Sequence, residues 1–169
     1  MSHIFAGRYA AHADAPFVLF LIGVNINKPL RVPQWMPAVS AMLPMISQLR
    51  AHPEKGMIDS RTYLSFPTIL IVQYWRSFEQ LEAFARDPDD LHIPAWKRFY
   101  HEVGKTNAVG IFHETYLVDD GQYEAVYANM PRYGLGKAMH HSPATGQRMT
   151  ARRRLGGQNE PAVELTPSE

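Results

Sequence analysis

Apolar positions along this chain switch between two periods, and the switches mark out an ordered set of elements. Phe17–Asn27 (FVLFLIGVNIN) is an almost uninterrupted apolar run, which predicts a strand buried on both faces. Lys28–Pro33 closes it with two prolines, which cannot continue a central ladder. Val32, Trp35, Met36, Val39, Met42, Leu43, Ile46 and Leu49 then recur at spacings of three and four, predicting a helix with one continuous apolar stripe. Pro33 suits its first turn, Pro37 is tolerable near it, and Pro44 predicts a kink. The Met and Trp of the stripe read as core packing rather than a cofactor box, since Met fills irregular gaps at low cost.

After a turn at Ala51–Gly56, Met57–Phe66 and Thr68–Arg76 read as two strands joined at Pro67, rich in β-branched and aromatic residues. Ser77 is an N-cap for a helix through Arg86 that Asp87–Asp90 breaks. A second helical segment, Ile93–Lys105, presents Trp96, Phe99, Tyr100 and Val103 on one side. Val109–Val118 and Tyr123–Ala128 read as a hairpin about an Asp119–Gly121 turn, because Gly accepts the positive φ such turns need. The order is strand, helix, strand, strand, broken helix, strand, with an added hairpin strand. This predicts an α+β fold, a ferredoxin-like βαββαβ antiparallel sheet with helices on one face. Apolar residues on both faces of Phe17–Val24 and Thr68–Trp75 require a cover on the other face as well. A second copy of the chain, sheet against sheet, supplies it most simply, so a homodimer is expected.

The flanks carry less pattern. Residues 1–15 read as an N-terminal arm with a short strand at Ile4–Tyr9, residues 16–141 as the ferredoxin-like domain, and 142–169 as a polar, flexible tail. Pro131–His141 is expected to be irregular, packing through Tyr133, Leu135 and Met139. The basic run Arg148–Arg154 reads as a solvated end. With 17 Lys plus Arg against 16 Asp plus Glu, the net charge of +1 leaves no electrostatic footprint for nucleic acid. The absence of cysteine excludes disulfides, thiolate metal sites and a Cys nucleophile. The longest apolar run, Phe17–Val24, falls far short of the ~20 residues of a membrane span, and no secretory signal is apparent. A soluble, cytoplasmic protein is the expectation.

Candidate chemistry concentrates where polar groups interrupt apolar strands, because an unpaired charge on a buried face is costly. His113 and Glu114 are adjacent, so on a strand they point to opposite faces and cannot serve one pocket. His113 shares a face with Ile111, Thr115 and Leu117, and Glu114 with Phe112, Tyr116 and Val118. The expectation is that His113 faces a ligand, as general base, hydrogen-bond donor or, if haem is present, axial ligand. A core histidine bonded to backbone is the structural alternative. Glu114 is expected to support the architecture or to touch substrate. His92, before the second helical segment, is the other catalytic candidate, at a pocket rim. Trp75, Tyr74, Trp96 and Tyr127 are substrate-pocket candidates; Trp75 and Tyr74 alternate faces, and Tyr127 shares one with Tyr123, opposite Glu124. Dinucleotide, phosphate-loop, zinc and serine-hydrolase motifs are missing from the sequence, and the adjacent His140–His141 pair lacks metal-ligand spacing.

The blocks FLIGVNINK, PQWMPAVSAMLPMISQL, QYWRSFEQLEAFARD, HIPAW, VGIFHETYLV and GQYEAVYANMPRYGLG, in this order, resemble the DUF4188 family over Phe17–Lys137. That family is grouped with a fumagillin-biosynthesis monooxygenase and is similar in fold to the antibiotic-biosynthesis monooxygenases. The resemblance implies a dimeric α+β barrel with a pocket between sheet and helices. It also implies a small oxygenase acting on an apolar or aromatic metabolite of secondary metabolism. No cofactor is required in that reading: His113 or His92 deprotonates the substrate and the anion reduces oxygen. The superfamily includes haem enzymes and aldoxime dehydratase, so a haem protein with His113 as axial ligand is the main alternative. A non-catalytic dimeric small-molecule binding protein is the second.

Overall fold

The computed structural model describes residues 2–87 and 106–158. The chain divides into two units, Pro16–Val118 and a second made of residues 1–15 with 119–169. Among the described residues no helix is long and apolar enough to cross a membrane.

The larger unit is built on β2 (Phe17–Ile26), the strand with the longest apolar run. It pairs antiparallel with β4 (Thr68–Trp75) on one side and β5 (Val109–Val118) on the other, and β3 (Met57–Ser65) extends the sheet beyond β4. The resulting order β3-β4-β2-β5 is that of a ferredoxin-like sheet read through its chain order βαββαβ. Among the described residues its helices are α1 (Val32–Ala51) and α2 (Phe78–Arg86).

Directly opposed residues of an antiparallel pair share a face, so the register assigns both faces of this sheet. Val18, Phe20, Ile22 and Val24 of β2 stand opposite Trp75, Gln73, Ile71 and Ile69 of β4. Across β5 the same β2 residues meet Leu117, Thr115, His113 and Ile111. This inner face packs on the helices in two clusters. Val18, Met57 and Trp75 meet Leu49, Leu81 and Phe84 in one, and Val24, Ile71 and Val109 meet Met42 and Ile46 in the other. The outer face carries Phe17, Leu19, Leu21, Gly23, Leu70, Val72, Tyr74, Phe112, Glu114 and Tyr116. Gly23 is required there, since a Cβ would lie 2.5 Å from the Ile69 carbonyl and 2.7 Å from the Phe112 ring.

Helix α1 runs through both internal prolines. It contributes Met42, Ile46 and Leu49 as its buried stripe, and Arg50 of its last turn donates to the Ser60 carbonyl at 3.1 Å. Ser77 caps α2 as its sequence position predicts, its Oγ accepting from the Gln80 N–H at 3.3 Å. The expected segment Ile93–Lys105 lies outside the described residues.

The smaller unit holds a three-stranded sheet, β6-β1-β7, with β1 (Phe5–His12) between β6 (Val126–Met130) and β7 (His140–Pro143). A short helix, α3 (Leu135–Ala138), precedes β7, and α4 (Ala151–Arg154) follows a 3-10 turn at Gly146–Arg148. This corrects the expected hairpin. Asp119–Gly121 does turn the chain, but β6 pairs with β1 rather than β5. Tyr123 precedes the strand, and its hydroxyl accepts the Ala13 N–H at 2.7 Å. The turn signal is local, whereas the choice of strand partner depends on residues more than a hundred positions away. The basic run also departs from a solvated end. Arg154 is almost fully buried and paired with Glu124 at 2.6 Å, and Arg148 donates to Ser142 Oγ at 3.0 Å.

Candidate functional site

Between the inner face of the four-stranded sheet and its helices lies a cleft enclosing about 500 Å³, part of it open to solvent. Phe20 and Ile22 of β2 and Ile71 of β4 form its floor. Met42, Met45, Ile46 and Leu49 of α1 form one wall, and Leu81, Phe84 and Ala85 of α2 the other. Gln73 is its single polar lining residue among those described. The residues of the helical stripe are therefore both core and wall: the same Met and Ile spacing that packs the helix also coats the cleft.

Gln73 is buried, and its side chain is held in one orientation. Trp75, on the same face two residues on and fully buried, donates its indole N–H to Gln73 Oε1 at 2.8 Å. An indole N–H can only donate, so the amide oxygen must face Trp75. The NH₂ group is left as the polar edge that the cleft sees. A buried amide donor in an apolar enclosure selects for an acceptor, because pairing it stabilises a complex while leaving it unpaired costs about 1–3 kcal/mol.

His113 stands opposite Ile22, so it lies on the inner face, the face of the cleft. Its ring meets the ring of Phe20, a floor residue, at 5.8 Å between centroids. It is exposed at the edge strand rather than enclosed. Glu114 points to the outer face, where its carboxylate accepts the Tyr116 hydroxyl at 2.5 Å. That contact holds the Tyr116 phenol above its ordinary pKa, first through the hydrogen bond and then through the carboxylate's charge. Strand alternation thus separates the two neighbours.

The remaining pocket candidates are dispersed. Trp75 lies on the inner face but beneath the lining, packed on Phe84 at 5.8 Å. Tyr74 is on the outer face with Phe17 at 6.2 Å. Tyr127 belongs to the smaller unit, where its hydroxyl accepts the Gly136 N–H at 3.1 Å and burial raises its pKa. The cleft's lining residues, among those described, all come from the larger unit. His92 and Trp96 lie outside the described residues. Gln73 is the residue that sequence reasoning missed. It is the one amide in the apolar run ILIVQYW, the same signal that singled out His113, but a neutral amide attracts less notice than a charge.

Known proteins share both the sequence and the architecture. Residues 17–135 match the family described as monooxygenase af470-like. Over 143 residues the chain is 31% identical to monooxygenase af470 of Aspergillus fumigatus, covering 78% of this chain and 50% of that protein. The chain therefore spans about half the length of the curated relative it matches. Among solved structures, an aldoxime dehydratase (OxdRE) in complex with butyraldoxime superposes with a TM-score of 0.61 at 17% identity, covering 81% of this chain and 42% of that one. SnoaB, a cofactor-independent oxygenase from Streptomyces nogalater, gives a TM-score of 0.45 at 9% identity, over 62% of this chain and 94% of that one. The aldoxime dehydratase structure shares the fold; the family match joins sequence to it, and this chain belongs to the monooxygenase af470-like family.

Proposed function

We propose that the chain is a small monooxygenase-like enzyme acting on an apolar or aromatic molecule held in the cleft between the sheet and α1 and α2. The observation that carries this reading is the composition of the cleft, in which, among the described residues, ten apolar side chains surround one oriented amide donor. A ligand with an apolar ring body and one carbonyl or phenolate oxygen matches that lining. The Gln73 NH₂ donates to the oxygen, and the apolar walls exclude water from the reacting carbon.

The reaction in this reading begins at an acidified C–H next to the bound oxygen. His113, on the same face, takes the proton, and the Gln73 amide stabilises the charge that moves onto oxygen. The electron-rich anion reduces dioxygen. A methylene becomes a carbonyl, with one oxygen atom retained and the other leaving as water, so R₂CH₂ and O₂ give R₂C=O and H₂O.

A haem-dependent reaction is the alternative that the fold raises. Haem would supply oxygen activation or dehydration of an N–O bond, and an imidazole of the protein would hold it. The described lining does not fit this well: it offers the thioethers of Met42 and Met45 but no imidazole. His113 lies at the margin and exposed. A Soret band in the purified protein that disappears in His113→Ala would establish the haem reading in place of the first.

The outer face of the sheet bears on assembly. The outer face carries Leu19, Leu21, Leu70, Val72 and Phe112, and a second copy of the chain laid on it gives the expected homodimer. Sedimentation at micromolar concentration should give twice the chain mass.

Labelled dioxygen supplies the direct test of function. An aromatic ketone with an activated methylene should take up one labelled oxygen atom, and His113→Ala should abolish the uptake while leaving ligand binding intact. A cleft that retains such a compound without oxygen consumption would make this a binding protein rather than an enzyme.

A further inference from the structure

The smaller unit carries a cluster that the cleft does not use. His12 ends β1 and stands directly opposite His140 at the start of β7. Their imidazoles stack at 4.8 Å with 22° between planes. Asp14, two residues past the strand, places its carboxylate 2.6 Å from His140 Nε2. One ligand atom from each of the three lies within 4.8 Å of the others.

We propose that His12, Asp14 and His140 form a binding site for a borderline divalent cation such as Zn²⁺ at this end of the three-stranded sheet. Two imidazoles and one carboxylate form a donor set that suits Zn²⁺ and its first-row neighbours, not the all-oxygen shell that Mg²⁺ or Ca²⁺ demands. Strand register aligns the two imidazoles before any ion arrives. Asp14 is exposed on a loop, so it can move by the small amount that coordination requires. Ligands about 2.0–2.2 Å from a zinc ion stand roughly 3.0–3.5 Å apart, which opens the Asp14–His140 contact slightly and draws His12 in. The cation takes the place of the hydrogen bond that now joins Asp14 and His140.

One nitrogen of His12 is available for such a ligand, and the other is held by a competing cation. Its Nδ1 is buried and has no hydrogen-bond partner, an orphaned polar atom. Its Nε2 receives the Arg148 guanidinium at 3.3 Å, and the same guanidinium donates to Ser142 Oγ at 3.0 Å. A fixed cation therefore already lies against one of the imidazoles. A metal ion on Nδ1 leaves the ring proton on Nε2, which can then no longer accept from Arg148, so binding pushes that guanidinium back onto Ser142. His141, although adjacent to His140, is on the opposite face, stacked on Tyr9 at 4.6 Å, and takes no part.

Calorimetric titration of the tag-free full chain with ZnCl₂ tests the proposal. The expected result is one Zn²⁺ per chain, at least tenfold weaker in His140→Ala and roughly tenfold tighter in Arg148→Gln, where the competing cation is gone. If His140→Ala does not fold by circular dichroism, Asp14→Asn on the exposed loop replaces it, with the same expected weakening. Absence of one-to-one binding up to about 100 μM Zn²⁺ overturns the site. So does binding that neither His140→Ala nor Asp14→Asn weakens, since other histidines would then hold the ion.

Discussion

The indole N–H of Trp75 donates to the side-chain oxygen of Gln73 across 2.8 Å within the core beneath the cleft. One bond thereby converts an amide that could present either edge into one that presents a donor. Gln73→Leu keeps the volume, removes the cleft's polar group and orphans the Trp75 N–H. It should cost about 1–3 kcal/mol of stability in urea unfolding and weaken an oxygen-bearing aromatic ligand about tenfold, with little change for the hydrocarbon analogue. Trp75→Phe leaves Gln73 in place but frees it to turn, so discrimination between the two ligands should narrow.

Neighbours on opposite faces should behave independently. His113→Ala, at an exposed position, is expected to shift stability by no more than about 0.5 kcal/mol while abolishing turnover. Glu114→Gln should leave turnover unchanged but alter Tyr116. The carboxylate now stabilises the protonated phenol, so ionisation comes at higher pH than for an ordinary tyrosine. Removing the negative charge lowers that pKa toward the ordinary value, and Tyr116 should ionise at lower pH in an ultraviolet or NMR titration.

Steric closure of the cleft supplies a control that leaves both polar groups alone. Ala85 sits on the α2 wall, half-buried. Ala85→Phe places a ring in the space between the helices and the sheet, so ligand binding should be lost by fluorescence titration. The melting temperature should change little or rise, since the ring fills space rather than displacing packed atoms.

At the C-terminal end, Arg154→Ala removes the partner of Glu124 and of the Arg148 carbonyl, which Arg154 bonds at 2.8 Å. Glu124 is a third exposed, which screens the pair, so the expected loss is about 1–2 kcal/mol rather than that of a fully buried ion pair. Limited proteolysis should cut faster after residue 142 in this variant.

The βαββαβ order, the Ser77 cap and the separation of His113 from Glu114 were all legible in the sequence, because each rests on a local period or a short-range bond. Strand pairing was legible where the βαββαβ order dictates it, and not where a short turn suggests a hairpin. The Asp119–Gly121 signal describes how the chain turns, not where the next strand goes, so β6 was assigned to the wrong neighbour. The cleft was half legible. Its Met and Ile wall showed as a helical stripe, but nothing in a stripe distinguishes a filled core from one with space in it. The His12–Asp14–His140 group was invisible for the same reason as β6, since it requires the ladder between residues at opposite ends of the described chain. The adjacent pair His140–His141, which the sequence does show, is divided between two faces.

The position of β1 also bears on how the protein comes to be folded. Its partners, β6 and β7, are made more than a hundred residues later, so β1 cannot pair within its own sheet until almost all of the described chain exists. The larger unit, with its strands drawn from one continuous stretch, can close before that happens. Contacts of such long sequence separation are slow to form and leave strand edges open meanwhile. Trimming the first dozen residues as a dispensable extension would make that interval permanent, leaving β6 and β7 without the strand that joins them.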